Sequence, residues 1–383
     1  MSWEIGTRTQ TILELNATRY SVFSNNNLPP PPSSPPDDLS SALEPFFSIA
    51  KDVVANRPGQ NISGPRPLLP DGSAGDPASI GMCVLLANWT GVDRGSGLDY
   101  AGAAKDELDW LLSVIPRTDD GAISHRENEL QLWSDSVYMV PPFLAYYGII
   151  SNNQTLLMEA YNQIKLYRNY LRDSDAQNRW KHVVLGSGTD EGAYNPPGNG
   201  WAAAGMLRVL ATIRNSPFAQ RMKDQQGDLT DWIEEIHDGM YAVLDTTVNL
   251  WTNYPDVPAD SPGNFYDTSG SALLAATVFR AAVMLNQFTH VPAAEKIRQT
   301  LFSPSGGPPS STTTSSTHLT PEGWLTPVVN PYSFPHEGSM SPESEAFAIQ
   351  LHSAWRDWVA DGARGANGLW RFLSLSVSSL PVG

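Results

Sequence analysis

Apolar residues recur along the chain with the 3.6-residue spacing of helices, in windows separated by Gly, Pro, Asn and Asp. The pattern predicts helices over residues 7–20, 39–55, 77–89, 100–114, 134–147, 155–172, 201–214, 229–244, 268–285, 293–301 and 342–359, with a short piece near 367–375. Strand-type alternation is scarce, and no fixed-period signature of a helical-repeat array is present. A dozen helices paired as successive hairpins and closed into a two-layer ring would bury both faces of the inner ones. The expected fold is therefore all-α, one domain over residues 1–383. Two stretches, 25–38 (NNNLPPPPSSPPDD) and 303–320 (SPSGGPPSSTTTSSTHLT), read as surface loop insertions because Pro, Gly, Ser and Thr suppress regular structure.

Several helix starts carry recognisable chemistry. Asp76-Pro77 places an N-cap acceptor before a proline, and Thr155, Asp267 and Ser341-Pro342 offer similar starts.

Composition narrows the partners. With 24 Lys and Arg against 40 Asp and Glu, the net charge is −16, and no basic run is visible. Nucleic acid and anionic membrane surfaces are therefore not expected partners. No stretch approaches the roughly 20 apolar residues of a spanning helix, and the start MSWEIGTRTQ lacks the features of a signal peptide. Cys83 is the single cysteine, which excludes an intrachain disulfide and a CxxC zinc site. Four sequons, at Asn16, Asn61, Asn88 and Asn153, suit a secreted glycoprotein whose signal has been removed, although Asn, Ser and Thr are abundant here. A monomer or weak homo-oligomer is expected.

The seven histidines show no paired metal-ligand spacing, and no GxSxG elbow or phosphate-binding glycine loop occurs. Neither a metal nor another cofactor is expected. What remains is Asp, His and Trp at loop-to-helix junctions, a vocabulary suited to carbohydrate chemistry. In the segment from Pro116 to Gly148, His125, Trp133 and Asp135 come at the lead-in to a helix, and Tyr138 and Met139 continue inward. An indole offers a platform for a sugar ring and, by lowering the local dielectric, raises the pKa of a neighbouring carboxyl towards that of a general acid. A helix N-terminus acts in the opposite sense. Asp135 also fits an ordinary first-turn Asp, and His182, the PGNGW turn at Trp201 and the Ser-Pro start at 341 each have a plain structural reading.

Taken together, Ile115-Pro-Arg-Thr-Asp-Asp-Gly121, Leu132-Trp-Ser-Asp-Ser-Val-Tyr-Met139, Gly198-Asn-Gly-Trp201, Asp267-Thr-Ser-Gly-Ser-Ala272, Ser341-Pro-Glu-Ser-Glu-Ala-Phe347 and Ala354-Trp-Arg-Asp357 are in an order that resembles the unsaturated uronyl hydrolases of glycoside hydrolase families 88 and 105, particularly the unsaturated rhamnogalacturonyl hydrolases of fungal type. The resemblance implies an (α/α)6 barrel of six hairpins and an oligosaccharide substrate, a 4,5-unsaturated uronic acid at the non-reducing end of lyase products. It implies that Asp135 protonates C4 and helps water add at C5. It implies that Asp76 holds sugar hydroxyls and raises the pKa of Asp135, with the N-cap reading of Asp76 as a rival. It places His125, His182, Trp133 and Trp201 against the sugar, and Tyr138 and Asn199, within the same motifs, are counted with them. The family's R-G-N-G-W has Pro197 here in place of Arg, so Arg126, Arg179 or Lys181 would have to meet the uronate carboxylate. Two alternatives stand beside this reading: a glycosidase of saturated sugars using Asp135 with Asp76, Asp190 or Glu191, and a catalytically silent carbohydrate-binding relative.

Overall fold

The computed structural model describes residues 1–24, 26–33, 35, 37–57, 64–187, 194–302, 318–333 and 336–366. Among them run eleven α-helices: α1 (Ser2–Asn16), α2 (Asp37–Ala55), α3 (Gly81–Thr90), α4 (Tyr100–Ser113), α5 (Ser136–Ile150), α6 (Gln154–Leu171), α7 (Pro196–Asn215), α8 (Lys223–Tyr241), α9 (Thr268–Leu285), α10 (Val291–Phe302) and α11 (Pro342–Ala360). The odd-numbered helices touch one another in order, α3 together with its leading 3-10 turn (Asp76–Ile80), and α11 packs back on α1. That closure makes them the inner ring of an (α/α)6 barrel. The even-numbered helices lie outside, each against an odd-numbered neighbour. The short helix expected near 367–375, Asp190, Glu191, Asn61 and most of the 303–320 insertion lie outside the described residues.

Sequence decides which helix goes inside. In α7 and α9 small and apolar residues cover nearly every face, and both are buried almost throughout. α8 carries only a stripe of Leu229, Trp232, Ile233, Ile236 and Met240 and sits outside with its charged face in solvent. Inner helices approach closely: a Cβ at Gly205 of α7 would lie 2.1 Å from the Val137 carbonyl oxygen of α5. α9 is long and apolar enough to cross a membrane, but 83% of it is buried inside the protein.

Several boundaries shift by a few residues, α1 and α8 starting five and six residues early, and two of the shifts bear on the site. α7 starts at Pro196, because Asn195 caps it by accepting from Gly198 N at 2.9 Å and two prolines occupy first-turn positions whose missing N–H groups have no helical partner. Gly198-Asn-Gly-Trp201 is therefore helix, not a turn leading to one. The helix expected from Pro77 begins with the 3-10 turn, and the Asp76 side chain makes no capping bond.

A charge network ties the ring together. The Glu14 carboxylate of α1 accepts from Arg208 of α7 and, at 3.1 Å, from Arg280 of α9, and Arg280 also donates to Asp357 of α11. Glu14→Ala leaves two buried guanidinium groups short of their shared counter-charge and is expected to cost about 3–5 kcal/mol. Scanning calorimetry reads this as a lowered Tm; an unchanged Tm would show that the network does not hold the ring.

Candidate active site

Two small antiparallel arrangements at one end of the ring assemble the site. In the first, β1 (Leu132–Trp133) pairs with β2 (Val183–Val184), with Trp133 opposite Val183. Ser134 N then donates to His182 O at 2.9 Å, so the next side chain, Asp135, meets the His182 ring, with Oδ2 3.1 Å from Nε2. In the second, Ser73 bridges Arg126, and Ala74 N donates to His125 O at 2.7 Å. This lays Asp76 beside His125, 3.7 Å between Oδ1 and Nε2. Gly75 makes the approach possible, since a Cβ there would lie 2.9 Å from both His125 Nδ1 and Ser136 Oγ.

A cavity of about 220 Å³ results, lined by Asp76, His125, Trp133, Asp135, His182 and Trp201 among the expected residues. The His125 ring stacks on Trp133 with centroids 4.7 Å apart, and His182 meets the same indole edge-on at 5.4 Å. Trp133 Nε1 donates to Gln131 Oε1 at 2.9 Å, which fixes the ring. Trp201 reaches the cavity backed by Tyr138 and Phe347.

Two expected residues do not line the cavity. Tyr138 is packed behind Trp201, with Arg208 over its ring and Gln350 Nε2 donating to its hydroxyl at 3.0 Å. Asn199 is fully buried: its Oδ1 accepts from Trp180 N at 2.9 Å and its Nδ2 donates to Trp180 O and Asn195 O. It clips the 179–180 strand to α7 and spends its polar atoms there.

The three cations offered in place of the missing Arg also separate. Arg179 forms a two-pronged pair with Asp256, and Lys181 lies 3.6 Å from Asp173. Arg126 alone of the three lines the cavity, 6.0 Å over the Trp133 ring. Pro197 lines it too. Trp3 of α1, the loop residue Tyr332, and Glu343 of α11 also line the cavity and were not expected there; Glu343 stood in a quoted motif, read as an ordinary helix start.

The carboxyls differ in charge state. Burial alone would raise Asp135, but the charge and hydrogen bond of His182, then His125, outweigh it and hold the group below the usual Asp range. This corrects the expectation of a raised pKa; Asp135 does stand at the N-cap of α5, as the helix-start reading has it, but its side chain makes no capping bond and turns to His182 instead. Burial, then the charges of Asp71 and Asp135, pushes Asp76 up to about 8, against Ser73 and Arg126. Burial likewise takes His125 down to about 4, so its ring is neutral near pH 7. Among the described residues no group of three or more His, Cys, Asp and Glu side chains is arranged to hold a metal ion.

A ring of six inner helices with two carboxyls between aromatic rings at one end suits carbohydrate chemistry, and the sequence match makes the class a glycoside hydrolase. Residues 78–303, more than half of the chain, match Glycosyl Hydrolase Family 88, and the protein belongs to that family. Its fold is similar to that of a possible family 105 member from Klebsiella pneumoniae (16% identity, TM-score 0.69, covering 93% of this chain and 82% of that one). It is likewise similar to a family 105 glycoside hydrolase from C. acetobutylicum (14%, TM-score 0.67, 93% of both chains). A third similar structure is an unsaturated glucuronyl hydrolase responsible for glycosaminoglycan degradation, from a Bacillus species (14%, TM-score 0.57, 93% and 96%). No curated protein matches the sequence.

Proposed function

We propose that the enzyme removes a 4,5-unsaturated uronic acid from the non-reducing end of lyase-generated oligosaccharides, with pectin-type rhamnogalacturonan fragments favoured, by hydrating the enol-ether double bond. The observation that carries this reading is one ionised carboxyl, Asp135 on His182, facing a second, Asp76, that keeps its proton. The unsaturated glucuronyl hydrolase from Bacillus, similar in fold, supports an unsaturated uronate as substrate. A uronate carboxylate entering this desolvated cavity opposes the anion on Asp135 and favours its protonation. Asp135 then gives a proton to C4, water bonds to C5, and Asp135 takes the proton that water loses. The hemiketal opens and releases the neighbouring sugar and a keto-uronate. Neutral Asp76 donates a hydrogen bond to a sugar hydroxyl throughout.

Incubation with lyase-digested rhamnogalacturonan, followed by ultraviolet absorbance of the conjugated enol ether, tests the reading: the signal should disappear. A persisting signal, with saturated oligosaccharides cleaved instead, favours a second reading. The resting protonation of the two groups also suits Asp76 as acid and Asp135 as base in ordinary glycoside hydrolysis.

Arg126, the arginine that lines the cavity, would meet the uronate carboxylate. Arg126→Ala is expected to raise KM about tenfold or more, the scale of a lost charge-assisted hydrogen bond, with a smaller change in kcat. An unchanged KM would remove Arg126 from the site. Secretion fits a consumer of lyase products, and the sequon residues Asn16, Asn88 and Asn153 are exposed. A glycosidase-sensitive shift in gel mobility of the secreted protein would bear on it.

A further inference from the structure

Glu343 is a third carboxyl in the cavity wall. Its residue is 6% exposed, near the start of α11, after the Ser341 cap. Oε2 accepts from Trp3 Nε1 at 2.9 Å. That is the side chain's one hydrogen bond among the described residues, and Glu343 lines the cavity.

We propose that Glu343 is a further substrate-contacting residue: Oε2 fixes the Trp3 indole at the wall, and Oε1 meets a hydroxyl of the bound uronic acid. The choice of a uronate as ligand rests on the function proposed above.

The groups facing Glu343 come from several elements. Glu4 of α1, Asp135 before α5 and Asp267 at the cap of α9 all disfavour a further negative charge. Of the cavity's cationic or basic groups, Arg126 lies over Trp133 and His182 against Asp135, while His125 is neutral. Burial, with these carboxylates, raises Glu343 to about 8, against the Trp3 hydrogen bond. Below that pH it is neutral and able to donate to a sugar oxygen. Above it, the anion repels an anionic ligand.

KM for lyase-generated oligosaccharide should therefore rise about tenfold between conditions well below and well above pH 8, the scale of one lost hydrogen bond to a charged partner. Glu343→Gln, whose amide oxygen still accepts from Trp3, should leave a smaller rise, the part due to Asp76, which also ionises near pH 8. Trp3→Phe, which removes the staple but leaves the carboxyl, should keep the rise. A purely structural Glu343 predicts the reverse ranking: Glu343→Gln harmless at every pH and Trp3→Phe damaging.

Titration calorimetry with D-galacturonate, compared between wild type and Glu343→Gln, repeats the test without turnover. Galacturonate binding that weakens above pH 8 more steeply in wild type than in Glu343→Gln, with lyase products untouched, keeps Glu343 in its role and removes the hydration reaction. Identical pH profiles in wild type and Glu343→Gln overturn the Glu343 proposal while leaving the reaction standing. Absence of both turnover and galacturonate binding overturns both.

Discussion

Asp135→Asn is expected to lower kcat on lyase-generated oligosaccharides by about 10²–10⁴-fold, the range that a positioned general acid and base supplies. KM and Tm should move little, because an amide has the carboxylate's shape and can still hydrogen-bond His182. Single-turnover absorbance decay separates the chemical step from product release. The effect is large because Asp135 is the carboxyl held ionised in the cavity, whereas Asp76 and Glu343 keep their protons up to about pH 8 and His125 is neutral. A rate within tenfold of wild type would show that Asp135 is not the acid.

Asp76→Ala should be the second most damaging change, about 10²-fold in kcat, since it removes a positioned donor from a desolvated site. Asp76→Asn distinguishes the two chemistries. The raised carboxyl is neutral below about pH 8 and ionises above it, so wild-type kcat falls on the alkaline side. If Asp76 only holds a hydroxyl, an amide donates as well, most of the rate survives, and the alkaline fall in kcat disappears. If Asp76 is itself the proton donor, Asp76→Asn is as inactive as Asp135→Asn, and the saturated-sugar reading gains.

Much of the architecture was legible in the chain because helices declare themselves locally. The 268–285 helix appears with the expected bounds, its Asp267 cap accepting from Ser269 N and Gly270 N. The start of α7 was missed because Pro and Gly look alike as turn formers, whereas prolines after an Asn cap begin a helix. Within the site, Asp135, Asp76, His125, His182, Trp133 and Trp201 converge on one cavity. Asn199 and Tyr138 were assigned by their place in a motif, and a motif does not say which neighbour is a contact and which is a support. The charge on Asp135 was misjudged because the effect of Trp133 was weighed without the pairing that brings His182 to 3.1 Å. Trp3 and Glu343, 340 positions apart, meet only when the ring closes, and no local pattern records that.

That same seam between α1 and α11 makes turnover a checkpoint on assembly. A nascent chain whose eleventh helix has not yet been made lacks a wall of its own cavity, and long-range closure of this kind is a slow step in folding. Turnover is therefore expected only from molecules in which the two ends of the chain have met.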